Sequence, residues 1–352
     1  MAGDAPTTGG VTDPDTTPSP ATRLRRLMDG YLTTQLLAVA ARLGVADVLA
    51  AGPLTGTEVA AEVGAAAGPM TRVLRGLALD GVLDERPDGR FALTEVGAAL
   101  RDGVPGSMRG PAIVRGGLYF PAAAGLFEAV VDGSTAFERA YGMPFFDHLD
   151  RHPGHAAEFQ DSMAGRAGQE AGAVVRAYDF SGIDLLVDVG GGPAVLLSAI
   201  LRSFPGLRGV LVDREPVLAG ARARLAAEGV AERAECVAGD FFAALPAGAG
   251  AYLLSRVLHD WDDAGALRIL SVCRAAMPAT GRLLIVEAIL PERAVELPEA
   301  IRMDLHMLML LGAMERTETQ FSDLLRAGGF TLARVVPTSS PAGLSVIEAT
   351  PA

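Results

Sequence analysis

Residues 185–192 read LLVDVGGG, and this stretch decides the fold of the chain. The mostly apolar run Leu185–Val189 predicts a buried strand that leads directly into three glycines, and a helical segment begins near Ala194. Glycines allow a backbone to approach a ligand closely, and the first turn of a helix offers unpaired N–H groups. The stretch therefore predicts a strand–loop–helix unit that binds a nucleotide-like ligand.

From residue 182 onward, short β-branched runs alternate with helical segments. Strands that alternate with helices indicate an α/β domain with a mostly parallel sheet covered on both faces. The last two runs, 331–336 and 344–350, are separated by a loop too short for a crossover helix, so they predict an antiparallel hairpin. The strands predicted before that hairpin are 185–189, 209–213, 234–237, 252–257 and 283–290.

The pattern before residue 102 is helical instead. Apolar residues from Met70 to Leu77 follow the spacing of one buried helix stripe, and Thr55-x-x-Glu58 is a capping-box signature for the preceding helix. A turn signal at residues 87–89, between two short apolar runs, predicts a hairpin. Two helices followed by a hairpin indicate a winged-helix unit.

A winged helix often binds DNA, but residues 22–111 hold ten arginines and ten acidic residues, and no basic stripe is visible. This balance favours a dimerisation or substrate-lid role over nucleic-acid binding. The predicted organisation is a disordered tail over residues 1–20, a winged-helix-like dimerisation domain over 21–110, a helical linker and substrate-pocket region over 111–178, and the nucleotide-binding α/β domain over 179–352.

The composition argues against several classes of protein. The 352-residue chain has a formal net charge of −12, which disfavours binding to nucleic acid or to an anionic membrane. Cys236 and Cys273 are too few for a disulfide framework or a zinc site, and we expect both to be buried thiols. No apolar run reaches the roughly 18 residues that a membrane span needs. The first 20 residues lack the apolar segment of a secretory signal, so we expect a cytoplasmic protein.

Two further stretches indicate the kind of cofactor. Asp213 ends the second predicted strand, 21 residues after Gly192, where a carboxylate can accept hydrogen bonds from ribose hydroxyls. After the third strand, Asp240 and Phe241 suit an adenine, through its amino group and its ring face respectively. The dinucleotide motif G-x-G-x-x-G requires a third glycine where this chain has Val195, which counts against NAD without excluding it.

Residues 258–263 read LHDWDD and follow the fourth predicted strand. In open α/β sheets ligands bind beyond the carboxyl ends of the strands, so His259 is expected to face the substrate. A histidine beside two candidate carboxylates suits removal of a proton from a phenol or another hydroxyl. The sequence therefore predicts an enzyme. A winged-helix regulator that senses a small molecule is the alternative from another class.

Together these motifs resemble those of a known family. The stretches DVGGG at 188–192, GDFF at 239–242, LHDWDD at 258–263 and ERT at 315–317 are similar to those of the small-molecule O-methyltransferases of plant phenylpropanoid pathways (caffeate and flavonoid type) and of bacterial polyketide tailoring. The resemblance covers nearly everything from residue 22 to the C-terminus. It implies a class I methyltransferase domain with a Rossmann-like sheet, S-adenosylmethionine as methyl donor with S-adenosylhomocysteine as product, no metal, and a homodimer formed through the N-terminal domain.

The resemblance also implies an activity and roles for individual residues. His259 would be the general base of an in-line methyl transfer. The acceptor would be a hydroxyl, preferentially a phenolic one, of an aromatic or polyketide natural product, as in antibiotic biosynthesis. Glu287 and Glu315 would flank its imidazole. The residues implied in cofactor binding are Asp188, Gly190, Gly192, Asp213, Arg214, Asp240, Phe241, Ser255 and Trp261. Those implied in acceptor binding are Phe159, Met163, Asp260, Asp304 and Met307.

Two positions depart from the family's pattern. Pro193-Ala194 stands where the family has a further glycine, and Ser255 stands where it often has lysine. Arg256 is adjacent, but in an extended strand it would point to the opposite face, so it is not expected to replace the lysine. Members repurposed for hydroxylation, decarboxylation or pericyclic chemistry, and C- or N-methyltransferases, are the alternatives within the family.

Overall fold

The structure, a computed structural model, describes residues 18–340 and 342–352, except for the side chains of residues 164 and 165. The chain forms two units, which divide between Ala98 and Ala99. The predicted disordered tail lies almost entirely outside the described residues. Within the described part of the chain, no helix is long and apolar enough to cross a membrane.

The N-terminal unit is helical with a small antiparallel sheet in the order β1-β3-β2. The capping box of Thr55 and Glu58 is confirmed, and so is the hairpin of β2 and β3. The two-residue strand β1 is too short to leave a pattern in the sequence. The helices are α1 (Pro20–Met28), α2 (Gly30–Leu43), α3 (Val45–Leu49), α4 (Gly56–Val63), α5 (Ala67–Leu79) and α6 (Glu95–Ala98), and the strands are β1 (Leu54–Thr55), β2 (Leu83–Glu85) and β3 (Arg90–Leu93).

The C-terminal unit begins with a helical region. Its apolar core is formed by side chains such as Leu118, Phe137 and Phe145, which pack with Met309 and Leu310 from a later helix. Met309 is therefore a core residue. The helices of this region are α7 (Arg109–Gly116), α8 (Phe120–Ala123), α9 (Leu126–Asp132), α10 (Ala136–Tyr141), α11 (Phe145–Arg151) and α12 (Pro153–Ala177).

A seven-stranded sheet in the order β6-β5-β4-β7-β8-β10-β9 follows, with β4 to β8 parallel and the last two strands antiparallel. The predicted α/β fold class and its C-terminal hairpin are confirmed. The strands are β4 (Leu185–Val189), β5 (Arg208–Asp213), β6 (Ala234–Ala238), β7 (Ala251–Ser255), β8 (Arg282–Ala288), β9 (Phe330–Pro337) and β10 (Leu344–Pro351). The helices are α13 (Val195–Ser203), α14 (Glu215–Ala227), α15 (Asp263–Ala276), α16 (Pro298–Leu311) and α17 (Glu318–Ala327), with 3-10 turns at Ala231–Arg233, Leu258–Asp260 and Ala294–Glu296.

Helices cover both faces of this sheet. In β4, Leu186 packs with Leu197 of α13 on one face, whereas Val187 packs with Ile269 of α15 on the other. Cys273 is buried as predicted, but the prediction for Cys236 is wrong, because it lies half-buried on the edge strand β6.

The strand order places a ligand site. From β4 the chain continues to β5 on one side, while β7 lies on the other side, so the order reverses between β4 and β7. In doubly wound sheets the crevice at such a reversal, beyond the carboxyl ends of the strands, is where ligands bind. The glycine loop follows β4 and His259 follows β7, so both lie at this crevice.

Candidate active site

The glycine loop has a backbone that few other residues could adopt. Gly190 and Gly192 have φ angles of 69° and 54°, in the left-handed region that favours glycine. A Cβ added at Gly191 would collide with the Asp188 carboxylate. Ala194 is also left-handed, with φ 59°, and is the N-cap of α13. The alanine thus adopts a left-handed conformation that a glycine would take freely.

Asp188 lies beneath the loop with both carboxylate oxygens buried and without a hydrogen bond among the described residues. Burial, and then the nearby Asp213, raises the pKa of Asp188 to about 7. A buried carboxylate without donors is costly unless a ligand supplies them. Because S-adenosylmethionine carries an ammonium group, this carboxylate and the open glycine loop fit that cofactor.

The neighbouring strand ends supply the other predicted cofactor contacts. Asp213, at the end of β5, accepts the Gly192 N–H at 2.9 Å and the Arg214 N–H at 2.7 Å, which ties it to the loop. Asp240, after β6, accepts the Phe242 N–H at 2.8 Å. The Phe241 ring lies edge-on to Trp261, with centroids 6.3 Å apart.

One side of this aromatic group comes from α11, which the sequence did not single out. The rings of Phe146 and Trp261 are near-parallel, with centroids 6.4 Å apart. The Arg214 guanidinium lies 5.8 Å from the centroid of the Phe146 ring. Arg214 also pairs with Asp150. These contacts join residues far apart in the sequence, and no local signal in α11 indicates them.

His259 lies at the centre of a group of carboxylates. Its Nδ1 is 2.8 Å from Glu315 Oε1 and 3.6 Å from Glu287 Oε2. On the other edge of the ring, Nε2 is 3.3 Å from Asp260 Oδ1. The three residues predicted as catalytic are therefore brought together, and Nε2 is the nitrogen left for an acceptor.

Glu287 shapes the turn that carries this histidine. The Val257 and Leu258 N–H groups each donate to Glu287 Oε1 at 3.0 Å. These bonds replace those of the sheet, so β7 ends at Ser255, and the prediction that it continues to Val257 is wrong. The turn is held from its other side by the buried Arg316, which donates to the carbonyls of Leu258 and Trp261.

The carboxylates determine the charge on His259. Burial lowers the pKa of His259, but Glu287, Asp260 and Glu315 together more than offset this and raise it to about 9. Burial raises the pKa of Glu287, whereas His259 and Arg256 outweigh burial at Glu315 and lower its pKa. The surrounding carboxylates therefore favour the protonated form of His259.

The same three side chains offer atoms within 4.8 Å of one another, a spacing that would also admit a metal ion. Here Nδ1 is engaged with Glu315 at hydrogen-bond distance, so its lone pair is unavailable while it carries the proton. The hydrogen-bonded pair is sufficient to explain why these groups are close together.

Two of the predicted acceptor residues lie on α16 and two on α12. Asp304, on α16, accepts the Glu315 N–H at 2.9 Å, and Met307 is buried on the same helix. On α12, Phe159 lies edge-on to Phe145, with ring centroids 5.2 Å apart. Met163 Sδ lies 3.6 Å from Arg166 Nη2 on that helix.

Comparison with known proteins identifies this arrangement. Residues 124–331 match the O-methyltransferase domain family, and residues 25–102 match the O-methyltransferase dimerisation domain. The chain belongs to the O-methyltransferase family. It is a methyltransferase that uses S-adenosylmethionine, as its motifs predict.

Relatives of this O-methyltransferase match over almost their whole length. Phenazine O-methyltransferase PhzM from Lysobacter antibioticus is 48% identical over 93% of this chain and 95% of its own. The crystal structure of LaPhzM has a TM-score of 0.88 and 46% identity, over 94% of this chain and 99% of its own. Another solved structure is that of the O-methyltransferase NcsB1 from neocarzinostatin biosynthesis, in complex with S-adenosylmethionine and 2-hydroxy-5-methyl naphthoic acid. It has a TM-score of 0.84 and 34% sequence identity, and the match covers 94% of this chain and 98% of that one.

In this O-methyltransferase the prediction that Arg256 points to the opposite face of an extended strand is wrong, whereas its failure to replace the lysine stays a prediction. Because β7 ends at Ser255, the strand alternation does not extend to Arg256, whose φ is 57°. Its guanidinium turns toward the base: Nη2 lies 2.9 Å from Glu170 Oε1, and Nη1 lies 3.5 Å from Glu315 Oε1. Arg256 thus lies between the carboxylates of Glu170 and Glu315, within ion-pair distance of both. Ser255 is half-buried at the end of β7, and its role at the cofactor stays a prediction.

Gly191→Ala tests the cofactor loop. Because the new Cβ would overlap the Asp188 carboxylate, we expect S-adenosylhomocysteine affinity, measured by calorimetry, to fall roughly 10- to 100-fold, as for an overpacked site. Gly182→Ala is the matched control, since a Cβ there meets nothing within 4 Å. Equal affinities of the two variants would contradict the assignment.

The pH dependence of kcat/KM tests the state of His259. Since only the neutral imidazole accepts a proton, we expect activity to rise with pH through neutrality and to level off near the raised pKa of about 9. Glu315→Gln removes one carboxylate that raises this pKa, so the acid limb should move to lower pH. An unmoved limb would assign it to ionisation of the acceptor instead.

A double-mutant cycle tests the ion pair between Arg256 and Glu170, whose side chains are 15% and 12% exposed. Arg256→Gln leaves Glu170 with Arg166 as its cationic partner, so we expect a loss of about 1–3 kcal/mol in the free energy of unfolding. Glu170→Gln in the same chain removes that charge and should restore part of the loss. Additive effects in denaturant titrations would show that the pair is not coupled.

Proposed function

We propose that this methyltransferase acts on a hydroxyl of an aromatic natural product, with His259 as the general base. The observation that carries the proposal is the orientation of the imidazole. Its Nδ1 lies 2.8 Å from Glu315 Oε1, so the neutral imidazole keeps its proton on Nδ1 and presents the Nε2 lone pair to the acceptor. The relatives named above, which act on or bind fused aromatic compounds, support an aromatic acceptor.

The pKa of His259 is close to that of a phenol. A phenolic hydroxyl has a pKa of about 10, close to the raised pKa of about 9 of this histidine, so transfer of the proton to Nε2 is nearly balanced in free energy. Once Nε2 carries the proton, Glu287, Glu315 and Asp260 stabilise the imidazolium. When bound, S-adenosylmethionine supplies a methyl group already activated on a sulfonium centre.

The residues that would hold this cofactor lie at the ends of β4, β5 and β6. The Asp188 carboxylate and the loop amides suit its amino acid part, Asp213 its ribose, and Asp240 with Phe241 its adenine. The turn after β7 places Trp261 at the edge of the same group. Burial of His259 keeps bulk water from the proton-transfer step.

We infer that the enzyme is a homodimer formed through its N-terminal unit. The match to the dimerisation domain supports this, and so do the exposed apolar side chains of α1 and α2. Those more than half exposed are Leu24, Leu27, Met28 and Tyr31. Its cytoplasmic location and the absence of nucleic-acid binding stay predictions from the sequence.

Incubation with S-adenosylmethionine and a panel of phenolic acceptors, followed by mass spectrometry, tests the function. We expect a mass gain of one methylene, with the methyl group on oxygen. His259→Ala should retain affinity for S-adenosylhomocysteine and lose roughly 10²- to 10⁴-fold in turnover. His152→Ala, at an exposed histidine, is the matched control and should leave turnover unchanged.

Two results would overturn parts of this proposal. Undiminished turnover in His259→Ala would remove the base. A mass change other than one methylene, or methylation on nitrogen or carbon, would favour the alternative chemistries over O-methylation.

A further inference from the structure

Arg256 lies where strand β7 turns into the segment that carries His259. Its own N–H still donates to the Val286 carbonyl at 3.1 Å, as in a continuing strand, whereas the N–H groups after it donate to Glu287. The change of direction occurs at Arg256, whose φ of 57° is in the left-handed region that glycine adopts most readily. A long charged side chain at this position is not required by the turn itself, so its contacts are informative.

The Arg256 guanidinium lies between two carboxylates. Its Nη2 donates to Glu170 Oε1 at 2.9 Å, and its Nη1 lies 3.5 Å from Glu315 Oε1. The same Glu315 oxygen lies 2.8 Å from Nδ1 of His259. Glu315 Oε1 is therefore shared between the guanidinium and the imidazole, and the charge of Arg256 acts on His259 through it.

Neutral donors satisfy the carboxylates beside His259 only in part. Across residues 18–340 and 342–352, Oε2 of Glu315 and Oε2 of Glu287 are buried and accept no hydrogen bond. Where donors are missing in a buried site, nearby charges determine which groups are ionised. Burial acts to raise the pKa of both carboxyl groups, whereas the charges of His259 and then Arg256 act to lower it. Arg256 thus helps to keep both carboxylates ionised.

Other charged groups face this pair from several elements. Arg166 Nε lies 3.2 Å from the Glu170 oxygen that Arg256 also contacts. The groups that act on Arg256, on His259 or on their partners are Glu170 and Arg166 of α12, Arg115 and Tyr119 from the α7 side, Glu287 of β8, Asp260 of the turn, and Asp304 and Glu315 of α16 and the segment after it. Arg316 adds a further cation, which is paired with Asp263. Carboxylates outnumber guanidiniums in this set, so loss of Arg256 would favour uptake of a proton.

We propose that Arg256 is a positioning residue for His259 and acts through Glu315, so that its charge lowers the pH at which the imidazole becomes free to accept a proton. This rests on the function proposed above. An extra proton blocks the base at either site. On Nε2 it occupies the lone pair, and on Glu315 it would be donated to Nδ1, which moves the proton of the neutral ring to Nε2. The guanidinium disfavours both forms, because each adds positive charge to the same buried group.

This role explains why the left-handed position holds an arginine. Glycine would adopt the same backbone conformation without strain, but it would leave Glu315 without the cation that follows β7. Glu170 holds the guanidinium from α12, since its Oε1 accepts Nη2 at 2.9 Å. The orientation of the cation is thus determined by a carboxylate that lies on a different element from the base.

The pH dependence of kcat/KM in Arg256→Gln tests the proposal. Removal of the cation should move the acid limb to higher pH by about one unit, as for the loss of one charge close to a titrating group. Below the limb kcat/KM should fall about 10-fold, and at high pH the two profiles should converge. A purely structural role would instead lower the whole profile by one factor and leave the limb in place, which would overturn the proposal.

Three further variants make the sign of the effect testable. Arg256→Lys keeps the cation and should restore most of the position of the limb. Glu170→Gln removes a carboxylate beside Arg256, so the limb should move to lower pH, and the double variant with Arg256→Gln should return toward the unmodified enzyme. Arg334→Gln is the matched control, because it removes an arginine from the buried Glu348, which pairs with Leu284 near the start of β8. Its limb should not move.

Glu170→Gln also keeps the proposal falsifiable if Arg256→Gln does not fold. An acid limb in Glu170→Gln that is unmoved, or that moves to higher pH, would overturn the role of Arg256.

An NMR titration of the histidine rings, in the complex with S-adenosylhomocysteine, follows His259 without turnover. Its resonance is the one missing from His259→Ala, and its midpoint should rise in Arg256→Gln by as much as the kinetic limb. A shift of the NMR midpoint without a shift of the limb would support control of His259 by Arg256 and overturn His259 as the base. If neither moves, the role of Arg256 is overturned while O-methylation stands.

Discussion

The geometry of the active site depends on one buried carboxylate, Glu287 at the end of β8. Its Oε1 accepts the N–H groups of Val257 and Leu258 at 3.0 Å, and that of His259 at 3.4 Å. Burial of a carboxylate is costly unless donors satisfy it, and here the amides of the turn that carries His259 satisfy Oε1. The same bonds end β7, so the position of His259 and the direction of Arg256 both follow from them.

Two strained backbone conformations lie at the edge of the sheet where the strands of the active site end. Among the described residues, the non-glycine residues with left-handed φ are Ala194 and Arg256, at 59° and 57°. They follow β4 and β7, adjacent strands between which the strand order reverses. Such conformations persist only where the surrounding structure imposes them, and they cluster at functional sites. One directs the glycine loop into its helix, and the other turns a guanidinium toward the base.

Charges of opposite sign alternate through the interior from α12 to His259. Glu170 lies between Arg166 and Arg256, and Glu315 lies between Arg256 and His259. In a low-dielectric interior each of these groups is costly alone and stabilised by its neighbours. The network therefore connects α12, which carries Phe159 and Met163, to His259, the proposed general base.

The sequence alone determined the α/β fold class, the seven strands of the large sheet to within about two residues, and the residue types at the cofactor loop and at His259. It could do so because hydrophobic period, glycine runs and strand-end motifs are local signals. It could not determine the direction of Arg256, the contribution of Phe146 and Asp150, or the pairing of Arg166 with Glu170 and Arg256. The Asp150–Arg214 and Glu170–Arg256 contacts span 64 and 86 residues, and only tertiary packing brings such partners together. The raised pKa of His259 was likewise decided by folding, since it depends on carboxylates from three separate segments in a buried site.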